Sequence, residues 1–136
     1  MLQVTEVRVR YAETDQMGVV YHANYLAWCE IGRTDLIRAL GGKTYGEIER
    51  EGIALAVVEA HLRYVKPARY DDLIRVTTRV TEVRSRVVRF DYDINLADGD
   101  LIATGYTTLV AMTREGRGSC IPDHLRQQLD RVRVDR

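Results

Sequence analysis

A short segment gathers the side chains that could do chemistry: Asp15, Gly18, His22 and Asn24 lie within ten residues of one another. A strand pattern precedes them and a helix pattern follows. The first backbone N–H groups of a helix have no partner inside it, so they can donate to a developing oxyanion. A carboxylate facing such donors could attack an activated acyl group. An Asx turn around Gly18 is the plainer explanation of Asp15, and His22 could equally be a structural hydrogen-bonding residue.

The elements that must position this segment are a strand before it and a long helix after it. Residues 4–11 alternate apolar and polar side chains, which predicts a half-buried strand. Residues 23–40 carry apolar side chains at helical spacing, with Asn24 as the expected cap and Gly41-Gly42 as the stop. Because one side of this helix is almost entirely apolar, we expect a sheet to enclose it.

The rest of the chain alternates with the period of β-strands. The sequence Ala97-Asp98-Gly99-Asp100 predicts a hairpin turn. Short connections favour an antiparallel sheet, so the fold class is α+β, and an exposed sheet edge favours pairing between two copies of the chain. Strands are predicted over residues 54–65, 73–84, 86–96 and 101–113, and short helices over 44–50 and 122–132.

Composition indicates the number of domains and excludes some classes of partner and location. A chain of 136 residues with 46% hydrophobic residues predicts one domain with a real core. Its 20 basic and 20 acidic residues cancel, which argues against a nucleic-acid partner. We find no signal peptide and no apolar run long enough to span a membrane. Cys29 and Cys120 have neither metal nor redox spacing, as expected of reduced thiols in the cytoplasm.

The segment around Asp15 resembles a known signature. Tyr11, Asp15, Gly18 and His22, followed by Tyr25, match hotdog-fold thioesterases of the 4-hydroxybenzoyl-CoA thioesterase family, most closely the bacterial acyl-CoA thioesterases with a histidine in the motif. The resemblance covers about residues 4–113. It implies one hotdog domain over residues 1–136, in which a five- to six-stranded antiparallel sheet wraps around a long central helix. The stretches Glu30-x-x-Arg33-Thr34-Asp35 and 57–72 also look familial.

This resemblance also implies a role for each matching residue. Asp15 corresponds to the catalytic carboxylate, acting as general base or as nucleophile. The backbone N–H of His22 corresponds to the donor that polarises the thioester carbonyl, and its imidazole to a group that positions substrate or water. Gly18 corresponds to the turn glycine that lets the backbone approach the substrate. Tyr25 corresponds to an aromatic residue near the acyl pocket, although it could belong to the core.

The implied substrate is an acyl-CoA, and no cofactor or metal is expected. A thioester has a good leaving group, so one carboxylate and oxyanion donors can suffice. The phosphates of CoA need cations, for which Lys66, Arg69, Arg84 and Arg86 are candidates near predicted strand ends.

The implied assembly is a homo-oligomer, a dimer or a tetramer of dimers, with active sites between protomers. Two alternatives stay open: a non-catalytic protein that binds acyl thioesters, and a hotdog dehydratase, which the Asp15-x-x-Gly18 motif disfavours. The sequence leaves the acyl group undefined, whether aromatic or aliphatic, short or long.

Overall fold

The computed structural model describes residues 1–136 as five strands and three helices, with one turn of 3₁₀ helix at Tyr11–Glu13. The strands are β1 (Gln3–Arg8), β2 (Ile53–Tyr64), β3 (Leu73–Val83), β4 (Val87–Leu96) and β5 (Leu101–Thr113). The helices are α1 (Asn24–Ala39), α2 (Tyr45–Arg50) and α3 (Asp123–Arg131).

The five strands form one antiparallel sheet in the order β1-β3-β4-β5-β2. Short hairpins join β3 to β4 and β4 to β5, as the sequence predicts. Strand β2 is the next strand after β1 in the chain, following α1 and α2, yet it lies at the opposite edge of the sheet. A bulge between Val57 and Glu59 interrupts the pairing of β2 with β5. The α+β hotdog architecture is confirmed, with five strands.

Helix α1 packs against one face of this sheet. Trp28, Leu36 and Ile37 are fully buried against inward-facing residues of β3 and β4 such as Val76 and Phe90. Burying side chains of this size contributes about 1.5–3 kcal/mol each. The helix can approach so closely because Gly32 has no side chain: a Cβ there would lie 2.4 Å from Thr78 Oγ1.

The predicted start and length of the central helix need correction. The helix has 16 residues, shorter than the predicted span 23–40, and its N-cap is Ala23. Asn24 is not the cap: it is the first helical residue, and its side-chain amide donates to the carbonyl of Glu13 at 2.8 Å. The preceding loop presents this carbonyl to the amide, which therefore bonds outside its own helix. Gly41 ends the helix with a φ of +78°, as expected.

Candidate active site

Asp15 sits at the tip of a tight turn before α1. Its Oδ1 accepts the Met17 backbone N–H at 2.8 Å, so the predicted Asx turn forms. Its backbone carbonyl accepts the Gly18 N–H at 3.0 Å, and Gly18 has a φ of +79°, which favours glycine. The second oxygen, Oδ2, accepts no hydrogen bond from the protein. The turn thus fixes the carboxylate and leaves one oxygen available.

His22 supplies a free donor where the chain enters α1. The backbone N–H groups of Asn24, Tyr25 and Leu26 all donate to carbonyls three residues earlier, but the N–H of His22 donates to none. The imidazole is exposed and lies against the Tyr21 ring, with centroids 4.5 Å apart. An exposed backbone donor of this kind can bind a carbonyl oxygen that gains negative charge.

Glu13 holds the loop between Asp15 and His22 in place. Glu13 is only 6% exposed, and its carboxylate accepts the Arg10 N–H at 2.8 Å and the Trp28 indole N–H at 3.0 Å. Its carbonyl accepts the Tyr21 N–H at 2.9 Å. The sequence alone predicts no role for Glu13. Its acidic character alone could not reveal the role, since the partners come from both sides of the loop.

Tyr64, at the end of β2, holds the helix entrance from the other side. Its hydroxyl donates to the His22 carbonyl at 2.8 Å, and its ring meets that of Tyr25 edge-on at 5.0 Å. Partial burial raises the pKa of the Tyr64 hydroxyl, which already donates in its ordinary protonated form at neutral pH. Tyr25 is 2% exposed and its hydroxyl accepts the Ala68 N–H at 3.3 Å. Tyr25 is therefore part of the core as well as of the cleft wall.

A cleft of about 250 Å³ opens beside the entrance to α1. Five of its eight lining residues are hydrophobic, as is typical of ligand sites. The lining residues are Val19, Val20, His22, Tyr25, Tyr64, Val65, Lys66 and Pro67.

The predicted phosphate-binding cations divide into two groups. Lys66 lines the cleft and pairs with Asp100 at 3.2 Å, and Arg69 reaches the Gly18 carbonyl at 3.5 Å. Arg84 and Arg86 lie in the turn between β3 and β4, where the Arg86 carbonyl accepts the Ala111 N–H. That turn is at the end of the sheet where β2 begins, whereas the cleft is where β2 ends. Within one chain, Lys66 lies at the cleft and Arg69 reaches the turn that carries Asp15, although Asp15 itself is not among the residues that line the cleft.

The side-chain clusters and the helices can also be compared with the requirements of a metal site and of a membrane span. No group of three or more His, Cys, Asp and Glu side chains is arranged to hold a metal ion. None of the helices combines the length and the apolar character that crossing a lipid bilayer requires.

Comparison with known proteins identifies the family. Residues 9–129 match the thioesterase-like superfamily. The chain belongs to this superfamily. A relative in Bacillus subtilis, named putative acyl-CoA thioesterase YneP, is 39% identical over 110 residues, covering 81% of this chain and 79% of the relative.

Solved structures agree with membership of the thioesterase-like superfamily. The hypothetical protein TT1821 from Thermus thermophilus has a TM-score of 0.92 at 36% identity, covering 99% of this chain and 100% of its own. A DHNA-CoA thioesterase from Staphylococcus aureus has a TM-score of 0.90 at 32% identity, covering 96% of this chain and 90% of its own. The family resemblance read from residues 11–25 is therefore confirmed.

Proposed function

We propose that this protein is an acyl-CoA thioesterase that hydrolyses the substrate to a free acid and CoA. The observation that carries the proposal is the unpaired N–H of His22 beside a turn that leaves Oδ2 of Asp15 unbonded. The name of the Bacillus subtilis relative supports the same activity.

In the proposed mechanism, the thioester carbonyl oxygen accepts the His22 N–H, which stabilises negative charge as the carbonyl is attacked. Asp15 acts in one of two ways. As general base it takes a proton from water, whose oxygen bonds to the thioester carbon. As nucleophile it attacks that carbon itself, and water then cleaves the resulting anhydride. In both cases the C–S bond breaks and CoA leaves as its thiolate. No metal or other cofactor takes part.

We further propose that two copies pair through their β2 edges. Val57 and Val58 on this edge strand are 46% and 58% exposed, which is unusual for apolar side chains without a partner. A two-fold axis would set the beginning of one β2 beside the end of the other. Arg84 and Arg86 of one copy would then approach the cleft of the other, completing the set of cations for the CoA phosphates.

Thiol release from a panel of acyl-CoAs, followed with a disulfide dye, tests the activity. We expect steady release of CoA from at least one aliphatic or aromatic substrate. Tight binding without release would instead support a non-catalytic acyl-thioester-binding protein. Because Cys29 and Cys120 are both free thiols, we propose the cytoplasm as the compartment.

A further inference from the structure

A second groove begins one helical turn beyond His22. It has a volume of about 350 Å³ and lies between the outer side of α1 and the inner face of β2 and β5. Residues 22, 26 and 30 follow one another at intervals of four along α1, so the groove continues the helix face that begins at His22. The groove-lining residues are Leu26, Ala27, Glu30, Arg33, Val57, Ala60 and Thr107.

Arg33 lies at the inner end of this groove and is incompletely bonded. Only 8% of the residue is exposed, it forms no ion pair, and its Nε has no hydrogen-bond partner. The hydroxyls of Tyr92 and Tyr45 lie beside the guanidinium and can accept from its other nitrogens, because a hydroxyl that donates to Thr107 or to the Leu55 carbonyl keeps its lone pairs. A buried N–H without an acceptor is costly, so the Nε of Arg33 favours a ligand that brings a hydrogen-bond acceptor.

Glu30 stands one turn before Arg33 and completes the end of the groove. It is exposed, and its negative charge favours the charged form of Arg33, although the two side chains form no direct hydrogen bond. The groove therefore ends on one acceptor and one donor. A hydroxyl group can donate to the carboxylate and accept from the guanidinium at once, whereas a carboxylate would be repelled by Glu30 and a methyl group would leave both unpaired.

The length of the groove also limits the ligand. His22 and Arg33 are eleven residues apart, which is about 16 Å along a helix. Because helical side chains point back toward the N-terminus, the guanidinium of Arg33 lies closer to His22 than the Arg33 backbone does. An acyl chain of medium length can span what remains.

We propose that this groove binds the acyl group and that Arg33, with Glu30, selects acyl chains of medium length with a hydroxyl at the far end. The inference rests on the proposed thioesterase function and adds a substrate class to it. Arg33 is a specificity-determining residue here, distant from the reacting carbonyl.

The test compares kcat/KM among octanoyl-CoA, 8-hydroxyoctanoyl-CoA and octanedioyl-CoA. The same comparison is made among the three corresponding six-carbon substrates. A site that hydrogen-bonds a hydroxyl rejects analogues that lack it, so the wild type should prefer the hydroxyl substrates at least about tenfold. Arg33→Met should reduce this preference to within about twofold. Arg38→Met is the matched control, since Arg38 is an exposed arginine of the same helix, paired with Asp35. It should keep the wild-type ratio.

The outcomes separate two kinds of failure. The ratio of two substrates in one sample does not depend on how much of a variant is folded. If the wild type prefers the methyl or the carboxylate substrate, or if Arg33→Met keeps the hydroxyl preference, the inference is overturned while the thioesterase function stands. The same holds if Arg33→Met dissociates the oligomer without changing the ratio, because Arg33 would then contact a second copy. A wild type that hydrolyses no acyl-CoA overturns the thioesterase function itself.

Discussion

The two carboxylate oxygens of Asp15 have different surroundings. Oδ1 accepts the Met17 N–H within the turn, and Oδ2 has no protein partner. An asparagine can keep the first contact through its own carbonyl oxygen, but it cannot take a proton or form an anhydride. The turn geometry and the chemistry of this residue are therefore separable by a single substitution.

We predict that Asp15→Asn lowers kcat by about 10²–10⁴-fold, the usual contribution of a general base, while the protein stays folded. Steady-state kinetics measure the loss and thermal unfolding measures stability. Asp98→Asn is a matched control, because the Asp98 side chain also accepts a backbone N–H within a turn, that of Asp100 at 2.9 Å, and Asp98 does not line the cleft. Turnover of Asp15→Asn within about threefold of wild type would contradict the mechanism.

His22 contributes its backbone and its ring, which two substitutions can distinguish. We predict that His22→Ala costs about tenfold in kcat/KM, since the backbone N–H remains. His22→Pro removes this N–H and should cost at least about tenfold more. Circular dichroism and oligomer size must match the wild type in both variants. Equal losses in two folded variants would make the imidazole the essential group and assign the oxyanion to another donor.

At the scale of elements, the loop that carries Asp15 depends on the buried Glu13. Its carboxylate accepts the backbone N–H of Arg10, at the start of the loop, and the indole N–H of Trp28, in the second turn of α1. Asn24 adds a bond to the Glu13 carbonyl. A single side chain thus fixes the direction in which the chain enters the helix.

We predict that Glu13→Ala destabilises the protein by about 1–3 kcal/mol, because it leaves buried donors unpaired. Turnover should fall as well, since the loop also carries Asp15. Glu13→Gln retains one acceptor oxygen and should be milder in both respects. Urea unfolding and kcat measured on the same samples check this. An alanine variant as stable and as active as wild type would remove Glu13 from the positioning of the loop.

At the scale of the molecule, the proposed pairing of two β2 edges would complete the site. We predict that Val58→Lys, which adds a charge to this edge, weakens self-association and lowers activity together. The matched control is Val4→Lys on β1 at the opposite edge, where Val4 is 51% exposed. Sedimentation velocity gives the oligomeric state. A fully active wild-type monomer at the assay concentration would be incompatible with a site shared between protomers.

Periodicity predicted the elements but not their arrangement, and it extended the first strand to residue 11, whereas β1 ends at Arg8 and a 3₁₀ turn begins at Tyr11. Alternation over Ile74, Val76 and Val80 located β3, and Gly41 located the end of α1, because both signals are local. The prediction that Asn24 caps α1 was wrong, because its side-chain amide bonds to a carbonyl that only the folded loop presents. The position of β2 at the far edge depends on contacts between residues distant in the chain, which periodicity does not encode.

In the candidate site, too, the sequence predicted the residues that are close in the chain but not those that only the fold brings together. The motif identified Asp15, Gly18 and His22 because they lie close together in the chain. It could not identify Tyr64, whose hydroxyl reaches the His22 carbonyl across 42 residues. Charge alone could not show that Lys66 and Arg69 lie at one end of the sheet and Arg84 and Arg86 at the other. The end at which a cation lies depends on the strand order.

The bond between Trp28 and Glu13 has a spectroscopic consequence. Trp28 is the only tryptophan of the chain, is fully buried, and donates its indole N–H to the residue that anchors the loop. Indole emission depends on polarity and on this bond, so intrinsic fluorescence reports on loop order without an added label. A stopped-flow trace of emission during acyl-CoA binding would therefore time any loop rearrangement independently of the release of CoA.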